Sequence, residues 1–408
     1  MSETPVVRRF LNYVAIPTMS AEDMPGIPST KKQFSLAEYL VRELKELGLE
    51  DASVDAHGYV YATLPGTVPA GEDHPVIGLI AHMDTSPEAP DEPVRPAVRL
   101  YEGRPVCLNE GLGLYLDEAQ YPEMGSYAGK HLIVTDGTTL LGGDDKAGIA
   151  EILTALEQII SKNVPHRTIK VAFTPDEEVG RGAELFDIER FGADFAYTVD
   201  GGRMGELEYE NFNAASADLV FHGVNVHPGS AKNKMRSSML YAQEFMGALP
   251  AGETPATTEG YEGYYHLLSI QGSVEETKLH YIIRDFDKAG FENRKAFMTG
   301  LADRINREYG AGTAEISVRD SYFNMREVME QHMDVVDRAR EACLFCGVEP
   351  LIQPIRGGTD GATLSLRGLP CPNLGTADNN AHSRFEYVCA EDMQTITDIL
   401  ERILLATD

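Results

Sequence analysis

The 408-residue sequence predicts an α/β protein with a mixed, largely parallel sheet carrying helices on both faces, interrupted by a separate α+β insertion. Three observations predict it. Four apolar runs, at 76–81, 132–134, 169–173 and 195–199, are near-continuous rather than alternating, as in strands buried on both faces. Helical stretches separate several of them, and each run leads into a segment containing an acid or a histidine. Beyond Asn211 the pattern changes to alternating runs (215–221, 278–283, 315–318) with two helical stretches, 232–249 and 291–309, and near Tyr322 the first pattern resumes. The expected division is a first domain in two parts, 1–210 and 323–408, around an inserted domain at 211–322.

Taken in order, Thr4-Pro5 ahead of Val6, Val7, Phe10, Leu11 and Val14 predicts a capped amphipathic helix that Pro17 stops. Residues 18–30 carry two prolines and no periodicity, which predicts a surface loop. Leu36, Tyr39, Leu40, Leu44 and Leu47 predict a second helix closed by Gly48, and residues 54–63 read as a hairpin. The run at 76–81 ends in His82-Met83-Asp84. The run at 132–134 leads to Gly142-Gly143-Asp144-Asp145, ahead of a helical pattern of Ile149, Ile152, Leu153, Leu156, Ile159 and Ile160. The run at 169–173 ends in Asp176-Glu177-Glu178, and that at 195–199 in Asp200-Gly201-Gly202. After the insertion come a helix at 334–346, a Gly-rich segment at 356–361 and a terminal helix at 391–405.

The formal net charge of −29 argues against nucleic acid or an anionic membrane as partner, since both require clustered Lys and Arg. Five cysteines are an odd number without framework spacing, and Cys343 and Cys346 read as buried thiols within a helix. With no apolar signal core and no run of membrane-spanning length, the expected setting is the reducing cytoplasm.

In open α/β sheets, ligands collect beyond the carboxyl ends of the strands. Here those ends carry His82, Asp84, Asp144, Asp145, Glu177, Glu178 and Asp200, and His382 follows late in the chain. Each piece alone has an ordinary structural reading, Asp144-Asp145 for instance as a helix N-cap. Together, so many carboxylates without a cation would repel and resist desolvation. Histidine plus carboxylate suits zinc, with manganese or cobalt as substitutes, and the set is large enough for two ions about 3.5–4 Å apart sharing a bridging carboxylate. Such a pair lowers the pKa of a bridging water toward about 7. Of the neighbours Glu177 and Glu178, one would serve as general base and one as ligand.

His82-x-Asp84, Gly143-Asp144-Asp145-Lys146-Ala147-Gly148, Asp176-Glu177-Glu178-Val179-Gly180, Asp200-Gly201-Gly202 and His382-x-x-x-Glu386 resemble, in order, the motifs of the dinuclear-zinc peptidases and deacylases. That family includes aminoacylases, glutamate carboxypeptidases and succinyl-diaminopimelate desuccinylase. Further segments, Asn225-Val226-His227-Pro228-Gly229, Arg284-Asp285-Phe286-Asp287 and 354–361, resemble its tripeptide-cleaving branch. The resemblance implies a zinc-exopeptidase-like catalytic domain with an inserted lid or dimerisation domain, two Zn²⁺ per subunit and a homodimer. It implies His82, Asp144, Glu178, Asp200 and His382 as metal ligands, with Asp144 bridging and followed by a cis peptide. Asp84 would orient the His82 imidazole, Glu177 would be the general base, and His227 would stabilise the oxyanion. Arg356 would hold the substrate carboxylate, with Arg284 and Asn380 as further substrate contacts. The implied reaction removes the N-terminal residue from short peptides with a free N-terminus, tripeptides above all. A sibling dipeptidase, carboxypeptidase or N-acyl amino-acid deacylase would use the same metal centre.

Overall fold

The computed structural model describes residues 4–71 and 73–406. The chain divides into two compact units: Met1–Tyr209 with Glu327–Gln353 and Thr359–Asp408, and Glu210–Arg326 with Pro354–Gly358. The short return Pro354–Gly358 assigns Arg356 to the second unit, where the sequence boundaries had put it in the catalytic part. The cause is a strand-like pairing: Ile355 N–H donates to Glu210 O (2.9 Å) and Phe212 N–H to Ile355 O (3.2 Å).

The first unit is built on an eight-stranded mixed sheet. Its centre is Ile77–His82, flanked in parallel by Ile169–Thr174 and Phe195–Val199. Nearly every residue of these three strands is buried, which is why their sequences run apolar instead of alternating. The hairpin expected at 54–63 pairs Ser53–Val54 with Val60–Leu64, and Asp55 Oδ1 accepts the His57 and Tyr59 N–H groups across the turn (2.8 and 3.0 Å).

Three expectations need correction. The apolar run at 132–134 lies outside the main sheet. Strand His131–Val134 belongs to a four-stranded antiparallel sheet with Ala97–Leu100, Tyr387–Cys389 and Asp378–Asn379. A run that short carries no information about which sheet it joins. The helix expected at 232–249 begins only at Ser238: residues 232–234 form a turn, and Arg236 pairs with Val224 in an antiparallel bridge. The loop at 18–30 is exposed only around its tip: Thr18, Ser20, Ile27 and Ser29 are buried.

The second unit is a four-stranded antiparallel sheet in the order Tyr264–Gly272, Glu276–Asp285, Asn213–His222, Ala314–Tyr322. Residues of Asn213–His222 and Glu276–Asp285 alternate buried and partly exposed, the period-2 pattern of a sheet covered on one side. Ala217, Leu219, Phe221, Leu279, Tyr281 and Ile283 form one core with residues of the helices Ser238–Ala248 and Lys288–Tyr309. The Asp287 side chain caps the second helix by accepting Gly290 N–H (2.6 Å).

Candidate metal centre and active site

His82 closes the central strand of the first unit. Its N–H donates to Asp145 Oδ2 (3.0 Å), and its Nδ1 lies 3.0 Å from the Asp84 carbonyl oxygen. A carbonyl only accepts, so Nδ1 carries the hydrogen and Nε2 is the atom presented to the cluster. Nε2 lies 2.8 Å from Asp144 Oδ1 and 3.5 Å from Asp200 Oδ1. The imidazole is thus oriented mainly by the Asp84 backbone. The Asp84 carboxylate, 3.5 Å from Nδ1, instead accepts the N–H groups of Glu177 (3.0 Å) and Glu178 (3.2 Å). It suspends the loop after strand Ile169–Thr174 beside the histidine.

Asp144 and Asp145 stand at the head of helix Gly143–Lys162 with non-helical backbone angles, and the peptide between them is cis. The Asp144 side chain does not cap the helix; it turns to the histidines. Gly148 explains the proximity to Asp200. A Cβ there would run into the Val199 carbonyl, so its absence lets the helix start press on the end of strand Phe195–Val199.

Asp144 Oδ1 faces His82, while Oδ2 lies 3.6 Å from His382 Nε2, which is 2.7 Å from Glu178 Oε2. One carboxylate therefore offers an oxygen to each of two histidine-containing groups. Ligand atoms of His82, Asp144 and Glu178 lie within 4.8 Å of one another, as do those of His82, Glu177 and Asp200. His382 occupies the left-handed region (φ 62°), and Asn380 Nδ2 braces its turn by donating to Phe385 O (3.1 Å).

Glu386, quoted in the His382 motif without a role, is buried and accepts the N–H groups of Leu141 (2.6 Å), Gly142 (2.8 Å) and Asp144 (3.1 Å). It fixes the turn that aims Asp144; its spacing of four from His382 was the available signal. Asp360, also overlooked, is buried and accepts the Thr174 hydroxyl (2.8 Å).

Burial pushes Glu177 well above the ordinary carboxylate range, with the charge of Asp200 adding to the effect. Burial and the charge of Asp144 raise Glu178 to about 7. Hydrogen bonds to Asp144 and Glu178 raise His382 to about 11. Burial would lower the pKa of His82, but Asp200 and Asp144 outweigh it and raise it. Burial would likewise raise Asp144, yet hydrogen bonds from His382 and His82 hold it low. Among the described residues, neither Lys nor Arg pairs with Asp144, Glu178 or Asp200. Glu178 Oε1 is buried with no hydrogen-bond partner. A half-buried, acid-rich, thiol-free set with an orphaned oxygen fits divalent cations of the zinc type.

The second unit holds the other predicted residues. His227 is exposed, and its Nδ1 accepts Gly229 N–H (3.1 Å), which leaves Nε2–H as a donor. Arg356 lies over the Phe212 and Tyr264 rings (5.0 and 5.7 Å) and donates to the oxygens of Gly260 (2.5 Å) and Glu262 (3.1 Å). Arg284 lies over Tyr322 (5.2 Å) and donates to the Ile283 carbonyl (3.0 Å).

Parallel strand ends loaded with a histidine–carboxylate cluster define a metallopeptidase-type centre, and the chain belongs to peptidase family M20/M25/M40, matched over residues 134–406. It is 53% identical to Peptidase T of Alkaliphilus oremlandii over 401 residues, with 98% of each chain covered. A tripeptidase structure from Staphylococcus aureus shares the fold at 23% identity (TM-score 0.80), covering 98% of this chain and 97% of that one. So does a dinuclear metal binding peptidase of the M20 family from Bacillus subtilis, at 15% identity and TM-score 0.64, covering 98% and 96%. No helix among the described residues is long and apolar enough to cross a membrane.

Proposed function

We propose that the chain is a dinuclear, zinc-dependent aminopeptidase that removes the N-terminal residue of tripeptides. The carrying observation is the placement of Asp144 between His82 and His382, with Asp200 and Glu178 completing the two sides. These five residues would hold two divalent ions. Such ions supply Lewis acidity and make hydroxide available at neutral pH. Glu177, whose raised proton affinity suits a group that takes and returns a proton, accepts the proton of the attacking water and passes it to the leaving amine. His227 Nε2–H donates to the oxyanion as the scissile carbonyl becomes tetrahedral. The guanidinium groups of Arg356 and Arg284 are bonded to neutral oxygens rather than acids, so their charge is left for the substrate's terminal carboxylate. Asn380 shapes the turn that carries His382. Free thiols at all five cysteines accord with a cytoplasmic enzyme, and the second unit would serve as lid and homodimer contact.

The test is a panel of free tripeptides, dipeptides and N-blocked peptides, with and without chelator. The reading expects chelator-sensitive release of the N-terminal residue, fastest from tripeptides. Preference for dipeptides or blocked peptides would identify a sibling amidohydrolase instead.

A further inference from the structure

The loop that carries Glu177 is held from two directions, and the sequence motifs account for only one. Asp84 accepts the N–H groups of Glu177 and Glu178 from the side of the central strand. On the other side stands Asp176, fully buried and in the left-handed region (φ 58°). A non-glycine residue in that conformation is kept there by its surroundings. Here the surroundings are a distant part of the chain. Asp176 Oδ2 accepts Ser29 N–H (2.6 Å), and Oδ1 accepts the Ser29 hydroxyl (2.5 Å) and Gln33 Nε2 (2.7 Å). Gln33 Oε1 in return accepts Asp176 N–H (3.3 Å). Both Ser29 and Gln33 are buried.

The same N-terminal segment reaches the other two ligand loops. Ser20 N–H donates to Thr85 O (3.1 Å), one residue past Asp84. Lys146 Nζ, two residues past Asp144, donates to Ile16 O (2.9 Å). Arg181, just beyond the base loop, donates to Met24 O (2.7 Å) and Gly26 O (3.1 Å). Residues 16–33 therefore act as a strap across the three loops that supply His82, Asp144, and Glu177 with Glu178. Its tightest attachment is at the residue immediately before the base.

We propose that Asp176 is the positioning residue for Glu177, and that Ser29 and Gln33 are the outside partners through which it acts. A carboxylate saturated by three donors cannot rotate, so the backbone leaving it toward Glu177 has one direction. Displacing a catalytic group by about 1 Å costs on the order of 10²-fold in rate. None of Asp176, Ser29 and Gln33 is among the five ligands, and Glu178 on the same loop is separately held by Asp84 through its N–H and faces His382. Loss of the triad is therefore read in turnover before it is read in metal content or substrate affinity.

This rests on Glu177 being the base, so wild type and Glu177→Ala are measured alongside; a tripeptide turnover that survives Glu177→Ala overturns that reading, whatever Ser29 does. The experiment compares Ser29→Ala, Ser29→Thr and Gln33→Leu in zinc-loaded enzyme for kcat, KM, bound zinc and Tm. The expected result is a fall in kcat of about 10- to 100-fold for Ser29→Ala and Gln33→Leu, with KM and bound zinc within about twofold of wild type. Ser29→Thr, which keeps the hydroxyl, recovers most of kcat. If kcat is unchanged, falls only in step with bound zinc, or is not recovered by threonine, Asp176 is a structural tie and the proposal fails. Should Gln33→Leu not fold, the Ser29 pair decides the matter alone.

Discussion

Strand Ile77–His82 of the first unit and strand Asn213–His222 of the second both end in histidine, and the two histidines have different fates. His82 is 2% exposed and meets Asp144 and Asp200 with its Nε2; the His222 side chain is 40% exposed and pairs with Glu315 (3.3 Å). The residue type is the same, so the difference lies in the sheet. Parallel neighbours end on the same side, and three consecutive strands deliver their last residues to one place. In an antiparallel sheet each strand's end lies beside a neighbour's beginning, and nothing accumulates. Burial follows the same division: strands covered on both faces desolvate what they carry, whereas a one-sided sheet leaves its terminal histidine in water.

The sharpest way to break that comparison is to exchange the two histidines' fates. His82→Ala is expected to abolish turnover and remove bound metal, measured by peptide hydrolysis and metal analysis. His222→Ala is expected to leave both within about twofold, as for other exposed positions. An effect of His222→Ala comparable to that of His82→Ala would mean the second unit contributes a metal site of its own.

Core damage should separate the units in the other direction. Phe245 is fully buried in the core of the second unit, and Phe245→Ala should cost about 3–5 kcal/mol of stability in denaturant unfolding. Bound metal in the still-folded protein should be unchanged. Glu386→Gln is expected to do the reverse: little loss of stability, but metal affinity lower by about 10- to 100-fold, because the turn bearing Asp144 loses a charged acceptor.

The smallest effect concerns pH. Without metal, burial raises Glu178, Asp360 and Glu386 to about 7, from the ordinary 4.5 of glutamate and 3.8 of aspartate. An acid whose pKa is raised by folding adds stability that is full below its unfolded pKa and disappears as pH rises through the folded one. His382, raised to about 11, works in the same direction, and Asp144, held low, matters only in strong acid. The Tm of chelator-treated protein should therefore fall as pH rises from about 5 to about 8, and metal should flatten the curve.

Much of the site was legible because its chemistry is local to strand ends. His82, Asp84, Glu177, Glu178 and Asp200 each lie shortly after the end of an apolar run, and Asp144 precedes a strongly periodic helix. What escaped is long-range. That His131–Val134 joins a separate sheet depends on pairing with residues some 250 positions later, which no local period records. The transfer of Arg356 to the second unit depends on one pairing with residues 210–212. Ser20 and Ser29 fall in what reads as a surface loop, and Gln33 carries no sequence signal, since the burial that gives them partners is a property of the fold. Glu386 looked like part of a motif; its three N–H partners lie more than 240 residues earlier.

The central claim is that the clustered acids divide into ligands and one base. Glu177→Ala with two equivalents of zinc tests it most directly, by measuring turnover of a free tripeptide and bound metal in the same sample. The account predicts that both ions remain bound while kcat falls by about 10²- to 10⁴-fold. Retained turnover, or loss of zinc in step with activity, would contradict it.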